Sequence, residues 1–310
     1  MRRSRRYVLG AALLAFGLVL GACGSGGDDT GTDSGATEPE EKGSITVGSD
    51  GFYEAQIVGA MYALVLEDAG YDVTSQLDLD SREVRLPAME SGEIDVAPEY
   101  IASLLSVLDP DSGGATTPEE GAESLAPLLE EMGLELLEPS TAVDVNAFVV
   151  TQETADEYGL ASVSDLAAVA GELTLGAPPE CPKRPYCIPG LKEVYGADFG
   201  DDFKPLEYGA ATVQSLEAGA IDVALLFSTD PLITQKGLVL LEDDKQLQQA
   251  DNITPLIRSE VLTEEIAGLL NAVSAAITTD NITPLNAKVL VDQEDPEDVA
   301  REFLEENSLL

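Results

Sequence analysis

The sequence predicts an α/β protein of two lobes, each a mostly parallel sheet flanked by helices, joined by a two-strand hinge. Three observations predict it. The chain repeats itself: GSITVG (Gly43 to Gly48) recurs as GELTLG (Gly171 to Gly176), and AMESGEIDVA (Ala88 to Ala97) recurs as SLEAGAIDVA (Ser215 to Ala224), at offsets of 128 and 127 residues. In each copy a β-rich run ends at a glycine and leads into helical periodicity. Later a helix ends at a second glycine ahead of a buried strand, and such alternation gives largely parallel sheets. Finally, two short extended stretches bracket the second copy, as a chain that crosses between two lobes and returns requires.

Taken in order, the chain opens with a basic MRRSRRY, an apolar run from Val8 to Leu20, and LGAC. These are the n-region, the h-region (too short to span a bilayer as a mature helix) and the small residues of an export signal over residues 1–22. Leu20, Gly21 and Ala22 before Cys23 resemble the lipobox of bacterial lipoproteins, which implies acylation of Cys23 and cleavage just before it. A plain secretory signal with a chance cysteine is the rival reading. Arg5-Arg6 after Ser4 fits a twin-arginine signal as loosely as a merely basic n-region, so both export routes stay open. Residues 23–42, rich in Gly, Ser, Thr, Asp and Glu, cannot bury enough apolar surface to offset their ordering entropy and read as a lipidated, disordered tether.

The first repeat begins with the strand Ile45-Thr46-Val47. Ile57, Val58, Met61, Leu64 and Val65 then form one apolar face on a helix from Tyr53 to Ala69. Gly92 suits a left-handed helix cap before the strand Ile94 to Ala97. Thr117-Pro118-Glu119-Glu120 reads as N-cap, first-position proline and capping-box glutamate of a helix to about Met132. DVNAFVVT (Asp144 to Thr151) is the first crossing. The second repeat supplies Leu173-Thr174-Leu175, a cap at Gly219 and the strand Ile221 to Phe227; NITPLIRSE (Asn252 to Glu260) crosses back. Helices from Leu262 to Leu310, the last opened by Asp295-Pro296 and running to about Asn307, are expected to pack on the first lobe. The expected limits are therefore residues 43–147 plus 256–310 for lobe 1 and 148–255 for lobe 2. Ligands of parallel sheets sit beyond the carboxyl ends of strands, so both lobes should face one cleft, with hinge closure around a ligand as the action.

Composition narrows the chemistry. Removing the signal leaves 12 basic against 58 acidic residues, a net charge of about −46. That sign repels nucleic acid and anionic lipid and favours cationic ligands, although most of these carboxylates read as a solubility adaptation. The chain has no histidine. Ser-His and Cys-His catalysis and the usual zinc sites are thus excluded, and no catalytic residue, metal or cofactor is expected. With Cys23 lipidated, Cys181 and Cys187 remain, with five residues between them in ECPKRPYC, and read as a local disulfide staple in an oxidising compartment.

The segments GSDGFYEAQIVGAMY, SGEIDVAPEY, PPECPKRPYCIPGLKEVYG, AGAIDVALLFSTD and LVLLEDDK, in this order and spacing, resemble the osmoprotectant-binding proteins of ABC importers. These are receptors for glycine betaine, choline and carnitine with the type II periplasmic-binding fold. A quaternary ammonium has no N–H to donate, so only aromatic faces and carbonyl or carboxylate oxygens hold it, each well-placed ring contributing about 0.5–2 kcal/mol. The resemblance implies a cage position at Tyr100, another aromatic position at Phe227, a hydroxyl at Ser103 where the family has threonine, and a carboxylate-binding arginine at Arg184. Three positions depart from the family pattern. Asp50 stands in place of a lysine, and Asn146 and Asp251 in place of cage tyrosines; these changes make half the cage polar or acidic and ease the holding of choline, which has no carboxylate, over betaine.

Each of these readings has a structural rival. Tyr100 and Phe227 end buried strands and could be core; Arg184 could be a surface cation. Asp95 and Asp222, although they recur in the repeat, are read as bonding local backbone. Asp230 either caps a helix or lines the cleft.

The function expected is a non-enzymatic, lipid-anchored extracytoplasmic receptor. It would capture a small cationic or zwitterionic solute, namely a quaternary-amine compatible solute of the glycine betaine, choline or carnitine type, and deliver it to an ABC permease and its ATPase, acting as a monomer, without nucleic acid and touching the membrane through its anchor alone. The alternatives are the same clamp for an amino acid or a thiol-containing betaine, a sensory receptor, and a secreted carboxylate hydrolase.

Overall fold

The computed structural model describes residues 42–200 and 202–310. The expected signal, the Cys23 lipidation site and the tether up to residue 41 lie outside the described residues. Lys42, at the end of the expected tether, pairs with Glu265 at 2.5 Å.

Among the described residues, ten strands form two sheets. β1 (Ser44–Asp50), β2 (Asp72–Leu79), β3 (Val96–Tyr100) and β4 (Leu134–Leu136) come before the first crossing; β5 (Asn146–Val150), β6 (Leu175–Ala177), β7 (Phe203–Pro205), β8 (Val223–Phe227) and β9 (Val239–Leu240) come between the crossings, and β10 (Ile253–Arg258) after the second. The sheet orders, β2-β1-β3-β10-β4 and β7-β6-β8-β5-β9, are one arrangement used twice. β1 runs parallel to β2 and β3, and β6 to β7 and β8. β10 is antiparallel to β3 and β4, and β5 to β8 and β9. Each sheet is therefore mixed where mostly parallel pairing was expected. The parallel strands run toward the cleft, whereas a strand arriving from the other lobe must run away from it.

The expected lobe limits, at 147/148 and 255/256, fall inside β5 and β10. Strand pairing places all of β5 in the second sheet and all of β10 in the first, so the crossings lie a few residues earlier in the chain. There the two passing segments bond to each other: Val143 bridges Asn252, Ile253 N–H donates to Ala142 O at 3.2 Å, and Asp144 N–H donates to Asp251 O at 3.1 Å. Backbone leaving one sheet is thus paired until it enters the next.

The duplication extends to single contacts. Asp95 Oδ2 accepts the Thr46 N–H at 2.8 Å, and Asp222 Oδ2 accepts the Thr174 N–H at the same distance. Both aspartates are structural, but they tie down the neighbouring parallel strand, not their own turn. Arg258 further pairs with Asp95 at 2.7 Å. Gly92, at φ +81°, closes the helix Arg82–Ser91 in the left-handed conformation.

The helix Tyr53–Asp68 buries thirteen of its sixteen residues where one apolar face was expected, because the C-terminal helices Glu264–Ala276, Thr279–Leu290 and Pro296–Glu306 cover its outer side. Its aliphatic side chains form the first lobe's core with Ile266, Leu270, Phe303 and Leu304, each full burial being worth about 1.5–3 kcal/mol. The helix Thr279–Leu290 also touches the second lobe, where Leu290 packs on the Val213 and Leu216 cluster. Thr117 caps Pro118–Met132 by accepting the Glu120 N–H, but the Glu120 carboxylate bonds the N–H of Thr116, one residue outside a reciprocal capping box. Asp295 caps the last helix through the Glu297 N–H at 2.9 Å.

Candidate ligand-binding cleft

Between the two sheets lies a cavity of about 430 Å³. Its walls are the carboxyl ends of the parallel strands and the loops that follow them, together with the start of β5 and the segment leading into β10. All seven positions singled out in the sequence line it: Asp50, Tyr100, Ser103, Asn146, Arg184, Phe227 and Asp251. Tyr100 and Phe227 occupy the last positions of β3 and β8, paired across their sheets with Ile253 and Asn146. The repeat offset of 127 carries one onto the other.

Two rings that the sequence reading did not pick out pack directly against these two, and Tyr53 and Tyr186 also line the cavity. Phe52, on the loop after β1, lies 4.8 Å from Phe227 and 5.9 Å from Tyr100 between ring centroids. Tyr208, on the loop after β7, stacks on Phe227 at 4.0 Å and 22°. The first lobe thus contributes Phe52 and Tyr100, the second Tyr208 and Phe227. The signal was available: an offset of 128 carries Phe52 to Glu180 and Asp80 to Tyr208, and all four line the cavity.

The charged positions are held by partners the sequence did not indicate. Asp50 receives Arg85 Nε at 2.8 Å, and Arg85 Nη2 bonds Glu99 at 2.8 Å. Arg82 also binds Glu99, at 2.5 Å. Burial alone would raise the Glu99 pKa, but the two guanidiniums outweigh it and hold the carboxyl down to about 2. Asp50 is therefore neutralised from behind by a fully buried arginine. Asp251 accepts the N–H of Ser103 at 2.9 Å and the Ser103 hydroxyl. Burial pushes its carboxyl up to about 6 against the opposing pull of those bonds. Asn146 Nδ2 donates to Tyr186 O at 3.1 Å and so fastens the cysteine loop. Cys181 and Cys187 are disulfide-bonded and sit in the second lobe's core. Arg184, on that loop, lies 3.0 and 3.2 Å from the two oxygens of Glu83 on the opposite lobe.

At the cleft floor a fully buried Glu54 accepts the Tyr100 hydroxyl at 3.0 Å, the Thr229 hydroxyl at 2.7 Å and Asn286 Nδ2 at 2.8 Å. The three donors come from the first lobe, the second lobe and the C-terminal helices. Asp144 Oδ1 accepts the Thr229 N–H and the Ser228 hydroxyl, both at 3.1 Å, while its Oδ2 is buried without a partner among the described residues. Burial raises Glu54, and burial together with the Glu54 charge raises Asp144 well above the carboxylate range. Asp144 is the member of the pair that keeps a proton, which avoids two like charges in a dry interface. Asp230 caps the helix Pro231–Gln235 through the Leu232 N–H at 2.8 Å, which decides its role.

No group of His, Cys, Asp and Glu among the described residues is arranged to hold a metal ion, and no helix among them is long and apolar enough to cross a membrane. Four rings converging from two lobes, with carboxylates around them, can hold an organic cation by its faces and exclude water from it.

Residues 43–306 match the family described as the substrate-binding domain of ABC-type glycine betaine transport systems. The chain is 31% identical over 282 residues to a glycine-betaine-binding protein of Pseudomonas aeruginosa, covering 86% of this chain and 89% of that one. It is 28% identical over 323 residues to the carnitine transport binding protein OpuCC of Listeria monocytogenes, covering 99% and 98%. Among solved structures, that of a glycine betaine/carnitine/choline ABC transporter superposes with a TM-score of 0.67 at 26% identity, covering 86% of this chain and 99% of that one. A choline-binding protein in complex with choline shares the fold, with a TM-score of 0.64 at 19% identity over 86% and 89% of the two chains.

Proposed function

Because the chain belongs to the family of substrate-binding domains of ABC-type glycine betaine transport systems, we propose that its cleft grips a quaternary ammonium headgroup among Phe52, Tyr100, Tyr208 and Phe227. The family is one of binding proteins, not enzymes, serving import of glycine betaine, choline or carnitine from outside the cytoplasm. The observation that carries the reading is the convergence of two rings from each lobe on one cavity. Only closure brings all four together, so ligand and lobe contact stabilise each other.

On this reading the closed protein presents its cargo as a monomer to a membrane permease driven by an ATPase. Cys23, lipidated, keeps the body beside that permease on its tether. Ser103, held by Asp251, and the carboxylates Asp50 and Asp251 complete the site around the cation.

A second reading is favoured by the charges. Seven acidic side chains line the cleft against two guanidiniums, Arg82 and Arg184; even with Asp144 protonated and Asp50 paired to Arg85 the acids are in excess, and both guanidiniums are already engaged by glutamates. A cation without a carboxylate of its own fits this field better than a zwitterion.

Calorimetric titration with choline, glycine betaine and carnitine, alongside native mass spectrometry of any co-purified solute, tests the proposal. Binding of at least one, at one site per chain, is expected. Absence of heat with all three, or a co-purified ligand that is not an organic cation, overturns it.

A further inference from the structure

Arg184 occupies the position where the ligand's carboxylate is expected, and the protein fills that place from within. Glu83, in the first turn of the helix Arg82–Ser91, reaches across the cleft so that its two carboxylate oxygens lie 3.0 and 3.2 Å from Arg184 Nη2. Glu180, four residues back on the cysteine loop, lies 3.4 Å from the same nitrogen. The other guanidinium of the cleft wall, Arg82, spends Nε and Nη2 on Glu99. A betaine carboxylate entering here would meet two anions already on its arginine. Its approach to Arg184 is opposed by like charge at short range.

We propose that Glu83 is a specificity-determining residue: it supplies from the protein the carboxylate that a betaine would otherwise supply, so that the lobes latch over a carboxylate-free quaternary ammonium such as choline in preference to glycine betaine. This rests on the reading of the cleft as a quaternary-ammonium site. Three further features agree with it. Arg184 Nε is buried and has no partner among the described residues, which leaves one donor for an uncharged acceptor such as a ligand hydroxyl. The bridge joins the two lobes directly, so it forms as they close. Burial opposes ionisation of Glu83, but the charge and hydrogen bonds of Arg184 outweigh it and hold the carboxyl below its ordinary range; the latch stays charged at neutral pH.

Glu83 is half exposed as a side chain, and an ion pair of that exposure adds little to stability. It can therefore be altered without unfolding the protein. The test is calorimetry on the full chain with choline and glycine betaine, for wild type, Glu83→Gln and Glu83→Asp. Wild type is expected to bind choline at least about tenfold more tightly than betaine. Glu83→Gln should gain about tenfold for betaine, the effect of removing one unit charge beside the ligand carboxylate, while choline weakens by up to about fivefold as the latch loses its charge pair. Glu83→Asp, which keeps the charge, should keep the choline preference. A wild type that prefers betaine, a ratio unmoved in Glu83→Gln, or a loss of choline binding in that variant without gain for betaine overturns the inference while leaving the quaternary-ammonium site standing. Silence of wild type toward both ligands overturns that site, and the role of Glu83 with it.

Discussion

Replacing Phe227 with leucine isolates the π-electron contribution to binding, because leucine keeps an apolar side chain of similar bulk at the end of β8. Phe227 is the hub of the aromatic group, 4.8 Å from Phe52 and 4.0 Å from Tyr208. A desolvated cation over one ring gains about 2 kcal/mol, and losing it weakens binding about thirtyfold. The two lost aromatic pairs also cost about 0.5–1.5 kcal/mol each of fold stability, so titrations must be run well below the melting temperature of the variant. The assay is calorimetry with choline and with 3,3-dimethylbutanol, its uncharged carbon isostere, against wild type and Phe227→Leu. Choline affinity should fall about thirtyfold, and the isostere, which gains no cation–π energy, should change by less than about threefold. Choline binding within threefold of wild type, or equal losses for both ligands, refutes the cage: the ring would then be packing alone.

The pH dependence of binding should follow Asp251, whose pKa is pushed up from 3.8 to about 6. A raised folded pKa means that the proton stabilises the fold fully below pH 4 and that this gain is lost as pH rises through 6. A bound cation prefers the ionised form, so choline affinity should weaken by up to about tenfold per unit below pH 6 and show no such slope in Asp251→Asn; parallel profiles for the two proteins contradict the assignment. The disulfide, itself buried in the second lobe's core, closes a short loop, so Cys181→Ala with Cys187→Ala should lose about 2 kcal/mol in urea denaturation. An unchanged midpoint would mean that other contacts alone fix the loop. Gly190→Ala places a methyl group against the Pro185 carbonyl and 2.5 Å from Leu247 Cδ1, overpacking that should cost about 1–3 kcal/mol. Thermal melting should fall by at least about 3 °C, and a variant melting with wild type removes the argument.

Local chemistry was enough to read much of this protein from its residues. The duplicated GSITVG and ESGEIDVA segments dictate two copies of one sheet, because alternation, glycine caps and buried strands are properties of neighbouring residues. The same offset placed Tyr100 and Phe227 on equivalent strand ends, and proline with aspartate or threonine marked two helix starts correctly. What escaped the sequence is what depends on distant partners. Asp50 looked like an acid facing the ligand until Arg85, from a separate helix, was seen behind it. Arg184 looked free to hold a carboxylate until Glu83, 101 residues away, was found on it. Glu54 is one acid among many in the chain, yet closure of the lobes leaves it dry beneath Tyr100, Thr229 and Asn286. Periodicity and capping energies act over a few residues and are legible in any window of the chain. The choice of which charge neutralises which, and of which rings share a cleft, is made only when two sheets built from distant segments are brought face to face and water is driven from between them.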